Sequence, residues 1–280
     1  MYDYIERRNV DRPPAPGPED GARSIVVRSV HWTRTGHWLV AALADLIACR
    51  ARSLLFGLCY VGMGLVIVRA HEQHWSGSTG FVAAFLFLGP LLAVGTYELS
   101  RQRERGESSD LIVALFAWCR NPRELCLLAV LLCAILLLWF ECARRLLSVA
   151  GPLSESALAI DEDATTHSVL LWWIALTLFS LLAFVSSVIA VPLLHDRAVS
   201  VVTAVRASMK CCLKNPLTMS VWAITVVTVI GSSLWLGLWP LLFGGPWIGH
   251  ATWHVYRDFI DKPDSAGAGA IDRTQQGDTR

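Results

Sequence analysis

Six apolar stretches, most of them close to 20 residues long, alternate along this chain with short polar segments, and no other feature limits its fold so tightly. A helix needs about 20 apolar residues to cross the hydrocarbon core of a bilayer. Inside that core every backbone amide and carbonyl must be paired within the helix, so the chain is read as an all-α, polytopic membrane bundle. Composition agrees. Of the 280 residues, 54% are hydrophobic and 17% charged, whereas a soluble domain carries about a quarter charged residues.

The spacing predicts spans at about 53–70, 80–98, 124–140, 169–194, 217–236 and 238–253. Three further apolar segments are amphipathic, at about 36–50, 110–120 and 198–213. The third carries Val201, Val202, Val205, Met209 and Cys212 on one face and Arg206, Lys210 and Lys214 as an i, i+4 stripe on another. That is the pattern of a helix lying at a membrane surface against anionic headgroups. Residues 1–30 are rich in Arg, Asp and Pro and read as loosely extended; 261–280 read as a disordered tail. The first 35 residues lack the early apolar segment of a cleavable signal.

Lys and Arg fix the expected orientation. With both termini in the cytoplasm, 21 basic residues fall on the inner side, and Arg69, Arg144 and Arg145 on the outer. The membrane is accordingly read as a bacterial inner membrane. The net charge of +1 gives no reason to expect nucleic acid as a partner. The eight cysteines have no zinc-finger spacing and read as small apolar residues.

Three pseudo-repeats emerge, at about 36–100, 110–194 (with an outer loop at 147–167) and 198–260, together making a membrane domain over 31–260. Each reads surface helix, span, outer turn, span. The junctions Ala48-Cys-Arg-Ala-Arg-Ser53, Trp118-Cys-Arg-Asn-Pro-Arg123 and Cys212-Leu-Lys-Asn-Pro-Leu217 share their chemistry. Asn before Pro suits a helix start, with Asn capping free amides and Pro at the first helical position. Gly89-Pro-Leu-Leu-Ala-Val-Gly-Thr-Tyr-Glu-Leu-Ser-Arg101 also aligns with Gly245-Pro-Trp-Ile-Gly-His-Ala-Thr-Trp-His-Val-Tyr-Arg257, setting Glu98 opposite His254.

Those two segments, with Pro192-Leu-Leu-His-Asp-Arg197, resemble the bacterial "domain of unknown function 2189" family of integral membrane proteins, over about 25–260. The resemblance implies a helical membrane protein and supplies no catalytic residue. Some members of that family carry the label of a cytochrome c oxidase subunit. A catalytic haem–copper subunit needs more spans and several intramembrane histidines, so that role does not suit this chain, while an accessory or assembly role does.

Candidate site residues gather at the inner ends of spans 2, 4 and 6: Glu98, His195, Asp196, His250 and His254. His250 and His254 stand at i, i+4 and share a helix face, the spacing for chelating one metal. Ionisable groups at a bilayer edge are costly and often functional, yet near a helix end they also pair with arginines such as Arg101, Arg197 and Arg257. His71-Glu-Gln-His74 reads as a solvated outer turn, and Glu141 with Arg144 and Arg145 as an intrahelical pair. Four functions follow. The first is a non-enzymatic structural, assembly or accessory component, binding a membrane protein partner or a second copy. The second is a small transporter or channel, suggested by repeats and Gly-Pro breaks. The third is a respiratory metal- or haem-binding protein using His250 and His254. The fourth, an intramembrane enzyme, finds no Gly-x-Ser-x-Gly, paired Asp or zinc-protease helix. No cofactor is specified.

Overall fold

A computed structural model describes residues 25–73, 89–149 and 162–260. Residues 1–24, the turn from His74 with the first half of predicted span 2, the centre of the outer loop and the tail from 261 lie outside the described residues, as does the His71 side chain. The helices are α1 (Arg34–Glu72), α2 (Val94–Glu104), α3 (Leu111–Leu115), α4 (Pro122–Val149), α5 (Glu162–Ser187), α6 (Ala190–Asp196), α7 (Val201–Lys214), α8 (Pro216–Trp235) and α9 (Leu241–Phe259). Among the described residues there is one isolated β-bridge, Val27 with Ile260.

Four helical stretches among the described residues are long and apolar enough to cross a membrane: Arg34–Ala70, Pro122–Leu146, Leu170–Asp196 and Pro216–Ser233. Predicted spans 1 and 3 fall within the first two, and spans 4 and 5 largely overlap the other two. Span 4 is divided between α5 and α6. The helix predicted at 238–253 forms as α9 but is not among the four, and it is sunk in the bundle: eleven of its residues from Gly244 to Tyr256 are buried. The outer face of the bundle is apolar. Leu127, Val130, Leu137 and Leu138 of α4 and Leu178 and Leu181 of α5 are exposed, an expanse that in water would be a large sticky patch and in a bilayer is the lipid contact. At the α8–α9 turn, Trp235 is 86% and Trp239 74% exposed, the placement of interfacial aromatic anchors. The 20 residues of α8 reach about 30 Å at 1.5 Å per residue, the thickness of the hydrocarbon core.

The three expected surface segments lie at the other, charged end. α1 carries helical hydrogen bonding through a kink at Arg50, whose φ is +32°, a backbone region that non-glycine residues rarely enter. Residues 34–49 form one helix and 51–72 the span. The second segment is α3 followed by a 3₁₀ turn, Ala117–Arg120, and it stops at Asn121. Asp110 caps α3, accepting from the amides of Ile112 and Val113. The third is α7, capped by Ser200.

Asn215 and Asn121 act otherwise than expected. Asn215 makes no capping bond to α8. Its Oδ1 accepts from the Val30 amide at 3.0 Å and its Nδ2 donates to the carbonyls of Arg28 and Cys211. Asn121 donates to the carbonyl of Leu194, near the end of α6, and to that of Val199 just beyond it. Extended backbone alongside offers amides and carbonyls that are costly to leave unpaired, and the Asn215 side chain serves those. So residues 25–30 run as a strap against the bundle, not loosely. Lys214 donates to the Val27 carbonyl, Thr218 to that of Val30, and the Arg28 amide to that of Phe259.

Candidate functional site

α9 carries the centre of the polar cluster, and glycines let it approach its neighbours. A β-carbon on Gly57 would collide with the Leu242 backbone, one on Gly245 with the Tyr60 ring, and one on Gly249 with the Thr96 side chain. Small residues that bring backbones together are the usual means of joining helices in lipid, where no hydrophobic force drives them. This closeness sets His250 and His254 against α1 and α2.

His250 is fully buried. Its Nε2 lies 2.9 Å from Ser53 Oγ and its Nδ1 2.7 Å from Ser100 Oγ. Ser100 gives its one hydroxyl proton to Asp45 Oδ2 at 2.7 Å. Its oxygen therefore accepts from His250, which places the ring proton on Nδ1, and in the neutral ring Nε2 accepts from Ser53. Asp45 Oδ2 also accepts from His254 Nε2 at 2.9 Å, while Oδ1 meets Arg103 Nε at 3.1 Å. Arg103 also donates to the Ala44 carbonyl. The result is a chain, Ser53–His250–Ser100–Asp45–His254, drawn from α1, α2 and α9. Asp45 precedes the Arg50 kink and Ser53 follows it, so the chain spans both halves of α1.

Glu98 sits on the other side of α2 and belongs to a second group. It accepts from His195 Nε2 at 2.8 Å, Arg101 Nε at 2.9 Å, Arg101 Nη2 at 3.2 Å and Gln102 Nε2 at 3.2 Å. Arg120 Nη1 stands 3.6 Å away. Glu98, Arg101 and His195 are all buried. The pair joins α2 to α6, with the 3₁₀ turn closing over it. Asp196 heads a third group: Tyr256 donates to its Oδ2 at 2.6 Å and Arg257 Nη1 lies at 3.5 Å. Arg257 also holds Glu104 at 2.8 Å, and Glu104 accepts from Trp253 Nε1 at 3.2 Å.

The five predicted residues thus fall into three separate hydrogen-bonded groups. His250 and His254 share a face, as their spacing required. Both ring nitrogens of His250 are already hydrogen-bonded, to Ser53 and Ser100, so a metal or haem iron held by both histidines would have to displace one of those bonds. Among the described residues, no group of three or more His, Cys, Asp or Glu side chains is placed to hold a metal ion. Sequence reading missed Asp45, Ser53, Ser100 and Arg103. Asp45 carried a signal: it shares the buried stripe of Trp38, Ala42 and Cys49, and a carboxylate on an apolar stripe is there for a partner. Burial raises the thiol pKa of Cys211 and pushes that of Cys212 up to about 12.

Residues 78–196 match the model of a family described as "Predicted integral membrane protein (DUF2189)". The segments at 89–101 and 192–197, where the sequence resembles that family, fall inside the match, which includes Glu98, His195 and Asp196. His250 and His254 lie beyond it. No curated protein and no solved structure matches the chain.

Proposed function

We propose that this chain is a non-enzymatic structural, assembly or accessory component of the bacterial inner membrane. It crosses six times, as three pseudo-repeats, with both termini in the cytoplasm and the charged end facing anionic headgroups and a membrane protein partner or second copy. One observation carries the reading. The candidate residues are spent on one another: Glu98 on His195, Asp45 on His254 and Ser100, and Asp196 on Tyr256 and Arg257. Side chains engaged in this way tie α1, α2, α6 and α9 into a rigid end. Each of three spans is also entered from a surface segment through a sharp junction, which favours the repeat.

Gentle extraction of the tagged chain from its own membranes is expected to recover a defined membrane complex or homo-oligomer. Recovery as a lone monomer would sink the proposal. The orientation is open to a separate check. Cys119 is exposed in the 3₁₀ turn at the charged end, so a membrane-impermeant maleimide should label it in inside-out vesicles and not in intact cells. The reverse pattern would invert the topology.

A second reading, a small proton-linked transporter, rests on the hydrogen-bonded run from half-buried His254 to buried Ser53. Proteoliposomes that stay proton-tight support the structural reading. A leak that His250→Gln abolishes supports the transporter.

A further inference from the structure

Helix α7 has three faces. Ala204, Ala207, Ser208 and Cys211 are buried against the bundle. On the opposite side Val202, Met209 and Leu213 are exposed, Leu213 at 78%. Arg206 and Lys210, one turn apart, are exposed beside that apolar face. The face does not end with the helix. Leu213 is followed four residues later, across the Asn215–Pro216 junction, by exposed Leu217, which begins the lipid-facing side of the α8 span. A water-facing helix would hide such residues or dispense with them.

We infer that α7 is a recognition surface for anionic phospholipid: acyl chains lie along Val202, Met209, Leu213 and Leu217, and the headgroup phosphate sits against Arg206 and Lys210. The inference rests on the proposed membrane placement and deepens it by assigning lipid selectivity to one helix. Two observations favour lipid as the occupant: the exposed apolar residues Val202, Met209 and Leu213 lead directly in sequence to exposed Leu217 at the start of an apolar helix long enough to cross a membrane, and exposed Arg206 and Lys210 stand beside them. A basic residue near an anionic surface contributes up to about fivefold in affinity, so the pair sets an upper bound of about 25-fold, and a several-fold preference is expected for side chains this exposed to salt and water.

The test uses the full chain in phosphatidylcholine nanodiscs containing a few per cent of spin-labelled phosphatidylglycerol or spin-labelled phosphatidylcholine. The motionally restricted fraction of each lipid gives its relative association. Phosphatidylglycerol is expected to be held several-fold better. The Arg206→Gln/Lys210→Gln variant should lose most of that preference, Arg206→Lys/Lys210→Arg should keep it, and high salt should weaken it. Inorganic phosphate should not displace the lipid. Equal association of the two lipids, or an unchanged double glutamine variant, would overturn the inference. So would competition by phosphate, or cross-links between α7 helices in place of lipid selectivity. A chain that fails to enter nanodiscs in folded form would instead overturn the membrane reading, which separates the two failures.

Discussion

Glu98→Ala is expected to cost the fold about 3–5 kcal/mol, the penalty for stranding the remaining partner of a buried ion pair. The carboxylate takes hydrogen bonds from His195, Arg101 and Gln102 and lies near Arg120. Removing it leaves the Arg101 guanidinium, 5% exposed, without a counter-charge or water. His195 would lose its bond too, and its Nδ1 has no partner among the described residues. Glu98→Gln keeps the volume and one accepting oxygen, so its loss should be intermediate. Unfolding of the purified chain by SDS in mixed micelles, followed by circular dichroism, reads all three. If Glu98→Ala unfolds at the wild-type midpoint, Glu98 is not what joins α2 to α6.

How much of this was written in the sequence depends on the range of the forces involved. Apolar run length is a local property, so α8 was legible almost to the residue, while α4 and α5 were found in place with their polar outer ends, which carry no apolar signal, left out. Amphipathic period is local as well, and it placed α7 and the first half of α1. The kink at Arg50 appeared as a junction because Ala48-Cys-Arg-Ala-Arg-Ser53 resembles the two Asn-Pro junctions. Pairing across helices is not local. His250 and His254 were found because they share one helix, and a metal was the natural guess for two imidazoles at that spacing. Their actual partners, Ser53, Ser100 and Asp45, sit 150 to more than 200 positions away along the chain. Serine in particular gives no sequence signal, since it more often bonds back to its own helix, as Ser186 and Ser187 do here. The junction asparagines misled for the same reason. A cap is the best local use of Asn, and a docked strap from the other end of the chain outbids it only in three dimensions.

The closest helix contact should be the least tolerant position in the protein. Gly57→Ala places a methyl group where the Leu242 carbonyl stands. A carbonyl cannot rotate away as a side chain can, so α1 and α9 must separate. Overpacking of this kind costs about 1–3 kcal/mol, and a larger side chain more; Gly57→Leu is expected to abolish accumulation of the folded chain. Two glycines provide the control. Gly62 on the same helix and Gly231 on α8 have nothing within 4 Å of an added β-carbon. Alanine there should be neutral or stabilise by up to about 1 kcal/mol, since alanine is the better helix former. The same SDS titration compares them, and equal midpoints for Gly57→Ala and Gly62→Ala would sink the argument. The contact also has a chemical consequence. Gly57 is one turn beyond Ser53, and Leu242 is two turns before His250. Forcing the backbones apart should therefore lengthen the 2.9 Å bond between Ser53 and His250. In ¹⁵N spectra of histidine-labelled protein that appears as a shift of the Nε2 resonance, and Gly62→Ala should leave it in place. A perturbed resonance in a variant that still folds would show that helix approach, set by a missing side chain, fixes the geometry of the buried polar chain.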